Sequence, residues 1–406
     1  MDEEIPKTGQ WPVDPQQDEP EVLKGRIWVD GCFDFAHHGH AGAMLQARQL
    51  GKELYVGVHS DEAITENKGP TVMTLDERVA AVDACRWATK PIPHAPYVTS
   101  LPWISHYGCH YVVHGDDITS DASGEDCYRF VKAANRFLVV KRTPGISTTD
   151  LVGRMLLCTK AHFIRSLKAE LESENGSQML KRVADYATDE SGLQPGSEVY
   201  TWHAPQQAQS QPSPEGGEFE KLVSGKPPRQ GQRVVYVDGG FDLFSSGHIE
   251  FLERVNEAEN DEAYVVAGIH NDAVINQYKG LNYPIMNIFE RGLCVLQCKY
   301  VHAVVFGAPF APSQPYLEAL GRTSVGKISA VYHGPTAFIP LDFDPYADAR
   351  SLGLLKQIPN HAYKHVNAAE IMGRIEKGRA AFEERQRRKG QKATTEEAIK
   401  AAESGS

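Results

Sequence analysis

Two groups of residues in this 406-residue chain have types and spacings that could do chemistry. The first is His37-His38-Gly39-His40, which follows an apolar run ending in Asp30-Gly31 and leads into a helical pattern. A helix amino end attracts phosphate through its free N–H groups and its dipole. Gly39 lets backbone and ligand approach closely. Two imidazoles three positions apart can hydrogen-bond to phosphate oxygens as charge builds in a transition state. A metal pair or two incidental loop histidines is the alternative, and the strand, turn and helix around the motif weigh against it. The second group is Arg142-Thr143-Pro144-Gly145-Ile146-Ser147-Thr148-Thr149, ahead of a helical stretch from Asp150. Arg142 supplies a planar fork suited to phosphate. Ser147, Thr148 and Thr149 can cap the helix or offer hydroxyls to a phosphate. Alone, that run reads best as a cap; coupled to the histidines, it reads as phosphate binding.

Elements that would position these residues occur twice. VDGCFDFAHHGH (29–40) is answered by VDGGFDLFSSGH (237–248) without a gap. Further matches follow in the same order: VGVHSDEAI with VAGIHNDAVI, NKGP with YKGL, Glu77-Arg78 with Glu290-Arg291, APY with APF, VHG with YHG, and DLVGRM with EIMGRI. An ordered series of this kind marks a tandem duplication. Arg26–Asp30 and Arg233–Asp238 read as buried strands entering a turn, as do Leu54–His59, Ala263–His270, Tyr111–His114 and Ala330–His333. His40–Leu50 and His248–Glu257 carry helical apolar spacing. Strands alternating with helices imply a parallel sheet covered on both faces, with ligands at the carboxyl ends of its strands.

Composition bounds the rest. A formal net charge of −11 speaks against a nucleic-acid binder, which needs clustered basic charge. No apolar run approaches the ~20 residues of a membrane span, and the first residues lack the apolar core of a signal peptide. The seven cysteines are scattered; Cys294 and Cys298 have no second pair to complete a zinc site, so no resident metal is expected. The segmentation predicted is a disordered stretch at 1–23, a catalytic domain at 24–172 and a linker at 173–230. A second domain at 231–390 and a disordered tail at 391–406 complete it. Residues 372–392, with Arg385, Arg387, Arg388 and Lys389, read as a solvated terminal helix rather than a membrane switch.

The joint motif set resembles the nucleotidyltransferase superfamily marked by His-x-Gly-His, and within it the cytidylyltransferases. The resemblance rests on His37–His40, Arg142–Thr149, the lead-in Asp30-Gly31-Cys32-Phe33-Asp34, the Lys68-Gly69-Pro70 loop and His114-Gly115-Asp116-Asp117. It covers about residues 24–165 and 232–385, and it implies an α/β fold of two tandem Rossmann-like domains, each a parallel sheet flanked by helices. It also implies transfer of a cytidylyl group from CTP, with Mg²⁺, to a phosphorylated alcohol. Two such domains in one chain resemble the branch that uses phosphoethanolamine; phosphocholine users resemble one domain followed by a long amphipathic helix. By the same likeness His37, His40 and Lys68 are the catalytic residues. Gly31, Phe33, Gly39, His40, Arg142, Ser147, Thr148 and Thr149 hold CTP. Asp34, Tyr97, Asp116 and Asp117 are candidates for the acceptor, though each aspartate could equally cap a turn. The expected location is cytoplasmic, at most peripheral to the endoplasmic reticulum membrane, and a homodimer is admitted.

The second copy has lost the chemistry. Ser245 stands where His37 stands, and Ala362, Asn367, Ala368 and Ala369 stand over Arg142, Ser147, Thr148 and Thr149. Gly247, His248, Lys279 and Arg291 are kept. Ser245, His248 and Lys279 are therefore expected to be a remnant, and turnover is expected from the first domain alone.

Overall fold

The computed structural model describes residues 21–117, 119–204, 217–335, 341–385 and 387. Residues 1–20 and 391–406, expected to be disordered, lie outside that description, as does the Gln- and Pro-rich stretch 205–216. The chain divides into two compact units.

The first unit holds the chain up to Asp83, Ala88–Leu156 and the residues from Ala369 on. Its strands are β1 (Leu23–Gly31), β2 (Glu53–His59), β3 (Lys90–Ala95), β4 (Cys109–Gly115) and β5 (Phe137–Val140). They pair in parallel in the order β3-β2-β1-β4-β5. The order reverses between β1 and β4, so a crevice opens beyond their carboxyl ends, where ligands bind in such sheets. The apolar centres of β1 (Ile27 to Val29), β2 (Val56 to Val58) and β4 (Val112 and Val113) are buried, as expected of parallel strands covered on both faces. Trp28, Ile64, Ile92, Trp103, Val112 and Tyr128 form a core under the sheet.

The second unit, Ala84–Trp87 with Leu157–Ala368, repeats this plan and extends it. Its repeat strands are β8 (Val234–Gly239), β9 (Tyr264–Ile269), β10 (Ala303–Phe306), β11 (Ile328–His333) and β12 (Leu355–Gln357). Two further strands, β6 (Glu198–His203) and β7 (Glu218–Val223), give the order β12-β11-β8-β9-β10-β6-β7. β6 runs parallel to β10, and β7 runs antiparallel to β6, so this sheet is parallel except at that edge.

Two expectations about segmentation therefore change. Residues 173–230 are no plain linker: Gly176–Tyr186 is a helix, and Tyr200 and Trp202 of β6 sit in the second core. Burying these aromatics, with Val183, Tyr186 and Val199, repays the ordering of a segment that is otherwise largely polar. The second unit also does not run to 390. Helix Ala368–Lys377, the repeat partner of helix Thr148–Leu157, begins at its last residue, and Ala369 onward belongs to the first unit. In exchange, Arg86 is built into the second unit, donating to the carbonyls of Thr188, Cys298 and Val301 and to Ser197 Oγ.

Candidate active site

The turn after β1 is unusual backbone. Phe33, Phe35 and Ala36 all have positive φ (55°, 62° and 30°), a conformation that bulky residues adopt only when their surroundings impose it. Two side chains impose it here. The Asp34 carboxylate accepts the N–H groups of Val72 (3.1 Å) and Met73 (2.9 Å), and Arg78 donates to the Cys32 carbonyl at 2.7 Å. Arg78 is 1 % exposed and also pairs with Asp61 at 2.6 Å. The second copy repeats both devices, with Asp242 holding Ile285 and Met286 and Arg291 reaching the Gly240 carbonyl and Asp272. Asp34 is thus committed to the loop, which favours the turn-capping alternative over contact with the acceptor. Arg291, fully buried and bonded to protein, is no remnant anion site.

This turn delivers His37 as the N-cap of helix His38–Gln49, its Nδ1 accepting the Gly39 N–H at 3.1 Å. In the neutral ring an accepting Nδ1 leaves Nε2 as the N–H donor. His40 stacks on His37 with ring centroids 3.9 Å apart and planes 19° apart. Phe33 is buried edge-on to His40, and Gly31 lies against the Phe33 ring. A Cβ on Gly39 would stand 2.8 Å from Ile146 Cγ2 and 2.9 Å from the His37 ring. The glycine therefore closes the helix end onto the 142–149 loop, so the two sequence motifs meet in space.

Within that loop the roles divide. Ser147 Oγ accepts the Asp150 N–H at 3.0 Å, the cap of helix Thr148–Leu157. Thr148 Oγ1 donates to the Asp34 carbonyl at 3.4 Å, and Thr148 and Thr149 line an open surface cleft with Val152, Phe382 and Arg385. Arg142 is exposed, and its backbone N–H reaches the exposed Asp116 at 3.4 Å. Lys68 ends helix Asp61–Lys68, with Nζ 5.5 Å from the centroid of the Tyr97 ring. Although the Lys68 side chain is exposed overall, desolvation around its ammonium lowers its pKa; Arg385 adds to that, and exposed Asp117 opposes it. Tyr97 is buried, its phenol pKa is pushed up by that burial, and its hydroxyl has no hydrogen-bond partner among the described residues.

One residue escaped the reading of the sequence. Asp30, at the carboxyl end of β1, is 5 % exposed and accepts from Trp28 Nε1 (2.7 Å), Thr99 Oγ1 (2.5 Å) and the Tyr128 hydroxyl (2.7 Å). Its Asp-Gly sequence reads as a turn, and its donors lie as far as 98 positions away. His59 is structural, with Nδ1 3.1 Å from the Ala95 carbonyl, and His270 repeats that contact with Ala308 at 3.2 Å.

At the matching place in the second unit, Ser245 caps helix Ser246–Ala258, and His248 turns back into a capping box. Its Nδ1 lies 3.2 Å from both Ser245 N and Ser245 Oγ, while Ser245 Oγ donates to the Val366 carbonyl at 2.9 Å. Desolvation, with help from Lys279, pushes the His248 pKa down to about 3. Lys279 ends helix Asp272–Lys279 with Nζ 5.4 Å from the Tyr283 ring centroid.

A cytidylyltransferase-like family model matches residues 28–154 and again 236–364. The chain is 40 % identical over 375 residues to the ethanolamine-phosphate cytidylyltransferase of Mus musculus, covering 90 % of this chain and 89 % of that protein. Against the ethanolamine-phosphate cytidylyltransferase of Dictyostelium discoideum it is 39 % identical, over 90 % of this chain and 94 % of that protein. The choline-phosphate cytidylyltransferase A of Rattus norvegicus is 38 % identical over 133 residues, only 32 % of this chain. With two copies of the fold and a likeness that spans both, this chain belongs to the ethanolamine-phosphate cytidylyltransferases of the cytidylyltransferase-like family.

Proposed function

We propose that the chain transfers the cytidylyl group of CTP to phosphoethanolamine, giving CDP-ethanolamine and pyrophosphate, and that the first unit does the chemistry. The observation that carries this is the stacked His37–His40 pair at a helix amino end, closed by Gly39 onto the Ile146 loop. A phosphate oxygen of the acceptor attacks the α-phosphorus in line, and the α–β anhydride bond breaks. The chain's work is to position reactants and neutralise charge. In this reading His37, through Nε2–H, and His40 stabilise the oxygens of the α-phosphate. Lys68 serves both substrates from the opposite side. Arg142, Thr148 and Thr149 hold CTP, with Ser147 keeping their helix end in shape.

Asp30 and Tyr97 support the choice of acceptor. A primary ammonium is best met by a carboxylate and hydrogen-bond acceptors, whereas a quaternary ammonium favours a cage of aromatic faces. The buried Tyr97 hydroxyl, without a partner among the described residues, is an acceptor of the former kind, and Asp30, held in place by Trp28, Thr99 and Tyr128, supplies a fixed negative charge at the carboxyl end of β1. Mg²⁺ enters this proposal on the CTP phosphates. Such an ion is coordinated largely by phosphate and water. We place the reaction in the cytoplasm, on soluble substrates; among the described residues no helix is long and apolar enough to cross a membrane.

Pyrophosphate release measured with CTP and each phospho-alcohol tests the proposal. Phosphoethanolamine should be strongly preferred, and Asp30→Asn should raise its KM. A preference for phosphocholine would overturn the acceptor, and CTP binding without pyrophosphate release would overturn the transfer.

A further inference from the structure

The basic segment after Ala368, expected to be a solvated helix, has no task among the His37–His40 and Arg142–Thr149 groups. The structure packs it within the first unit. Arg374 makes a two-pronged pair with Glu77, at 2.7 and 2.8 Å, and its Nη1 lies 3.3 Å from the Val72 carbonyl. Glu77 in turn accepts the Thr74 N–H at the start of helix Leu75–Asp83. This latch grips the loop that Asp34 also holds. Beyond it, residues 379–385 are helical and bring Phe382, 4 % exposed, and Arg385 to the site.

Arg385 donates to the Pro70 carbonyl at 2.7 Å and forms a longer ion pair with the Asp34 carboxylate at 3.7 Å, beyond hydrogen-bond reach. Asp34 is already bonded to two backbone N–H groups. A guanidinium has five donors, and the Pro70 bond uses one. Its side chain keeps 20 % of its surface exposed, on the cleft that Thr148 and Thr149 also line. Gly69, at φ 90°, lies beside it: a Cβ there would stand in ordinary contact, 3.7 Å from the Arg385 carbons. Lys68 stands on the same loop, close enough for the Arg385 charge to lower its pKa further after desolvation has done so. Arg385 and two hydroxyls thus meet at the amino end of helix Thr148–Leu157, with Lys68 two positions before the Pro70 that Arg385 holds, an arrangement suited to a polyanion.

We propose that Arg385 binds the β- and γ-phosphates of CTP, the part that leaves as pyrophosphate, and that Arg374 is the positioning residue that holds it there. The inference rests on the cytidylyl-transfer reading. The α-phosphate belongs at the His37–His40 helix end. The second helix end is joined to it through Gly39 against Ile146 and Thr148 against Asp34, so a triphosphate can span both. As the α–β bond breaks, Arg385 neutralises charge on the leaving group.

Calorimetric titration of CTP, pyrophosphate and CMP into the full chain tests this without turnover. Arg385→Ala should weaken CTP and pyrophosphate by about 10- to 100-fold, the range of a hydrogen bond to a charged group. CMP, which lacks the outer phosphates, should stay within about twofold by the same reasoning. Arg385→Lys should fall between wild type and Arg385→Ala, and Arg374→Ala should give a smaller loss of the same kind. In turnover, KM for CTP should rise while KM for phosphoethanolamine holds. Where Arg385→Ala melts early, Arg385→Gln and Arg385→Lys carry the comparison. CMP weakened as much as CTP, or neither weakened, would reduce Arg385 to a latch and overturn the proposal. A wild-type chain that binds no CTP would overturn the transfer reading itself, and this inference with it.

Discussion

The two helix amino ends at His37 and Ser245 share a backbone plan and differ in what they can do. Each follows a strand ending in Asp-Gly, a left-handed turn, an aspartate clamp and a buried arginine. Each has a glycine wedged against the loop that carries Ile146 or Val366. In the first unit the N-cap is an imidazole that stacks on His40. In the second the N-cap is a hydroxyl, and the surviving imidazole closes a capping box with it. The difference teaches that most of the repeated motif is scaffold. Asp34, Arg78, Gly39 and His59 recur because the fold needs them, whereas His37 and the hydroxyls at 148–149, which we propose act on CTP, do not recur.

The sharpest way to break this comparison is to truncate the shared histidine in each copy. His40→Ala should lower turnover by about 10²–10³, the cost of removing one preorganised donor. His248→Ala should stay within about twofold of wild type; an equal loss with the fold intact would end the division of labour. Next come the two glycines. Gly247→Ala puts a methyl 2.3 Å from the Val366 carbonyl oxygen and should lower stability by roughly 1–3 kcal/mol in a denaturant melt, with catalysis largely spared. Gly39→Ala presses on side chains, Ile146 and His37, and should cost activity more than stability.

A third test uses the aspartates at the ends of β1 and β8. Asp238, with the Tyr346 hydroxyl at 2.6 Å where Asp30 has Tyr128, is raised to about 7 by burial. A carboxyl raised in the folded state stabilises at low pH and loses that contribution as pH climbs from about 4 towards 7. Asp238→Asn should therefore stabilise the chain at pH 8 by on the order of 1–2 kcal/mol and leave it nearly unchanged at pH 4.5. Calorimetry at both pH values checks it, and equal effects at both would refute the assignment. The smallest effect belongs to the latch. Burial would raise the Glu77 carboxyl, but hydrogen bonds from Arg374 and Thr74 hold it below its usual range. Its contribution is therefore complete above about pH 4.5 and lost only in stronger acid. Glu77→Gln should cost about 1 kcal/mol at pH 7 and progressively less below pH 4.

What could be read in the sequence follows a physical pattern. The duplication, the β1-turn-helix unit and the Ile146 loop were legible because their residues are close in the chain or copied in it. Ser147 illustrates a role that local sequence does define: the cap reading of that residue is what the structure supports. Asp30 was hidden because its partners, Thr99 and Tyr128, come from distant elements. β6 was hidden because Tyr200 and Trp202 stand beside a Gln-rich run whose polarity dominates any window. Arg374 and Arg385 resembled a solvated face since only the tertiary fold supplies Glu77 and Pro70 as their partners.

The chain leaves the first unit after Leu156 and re-enters it at Ala369, which bears on the order of events during synthesis. A ribosome that has released the residues through Leu156 has made every histidine and hydroxyl of the site, but not the helix Ala368–Lys377 that packs within the same unit. The first unit can be completed only when the residues after Ala368 emerge. A stop placed just beyond residue 368 would spare the second unit and yet take the Arg374–Glu77 pair from the first.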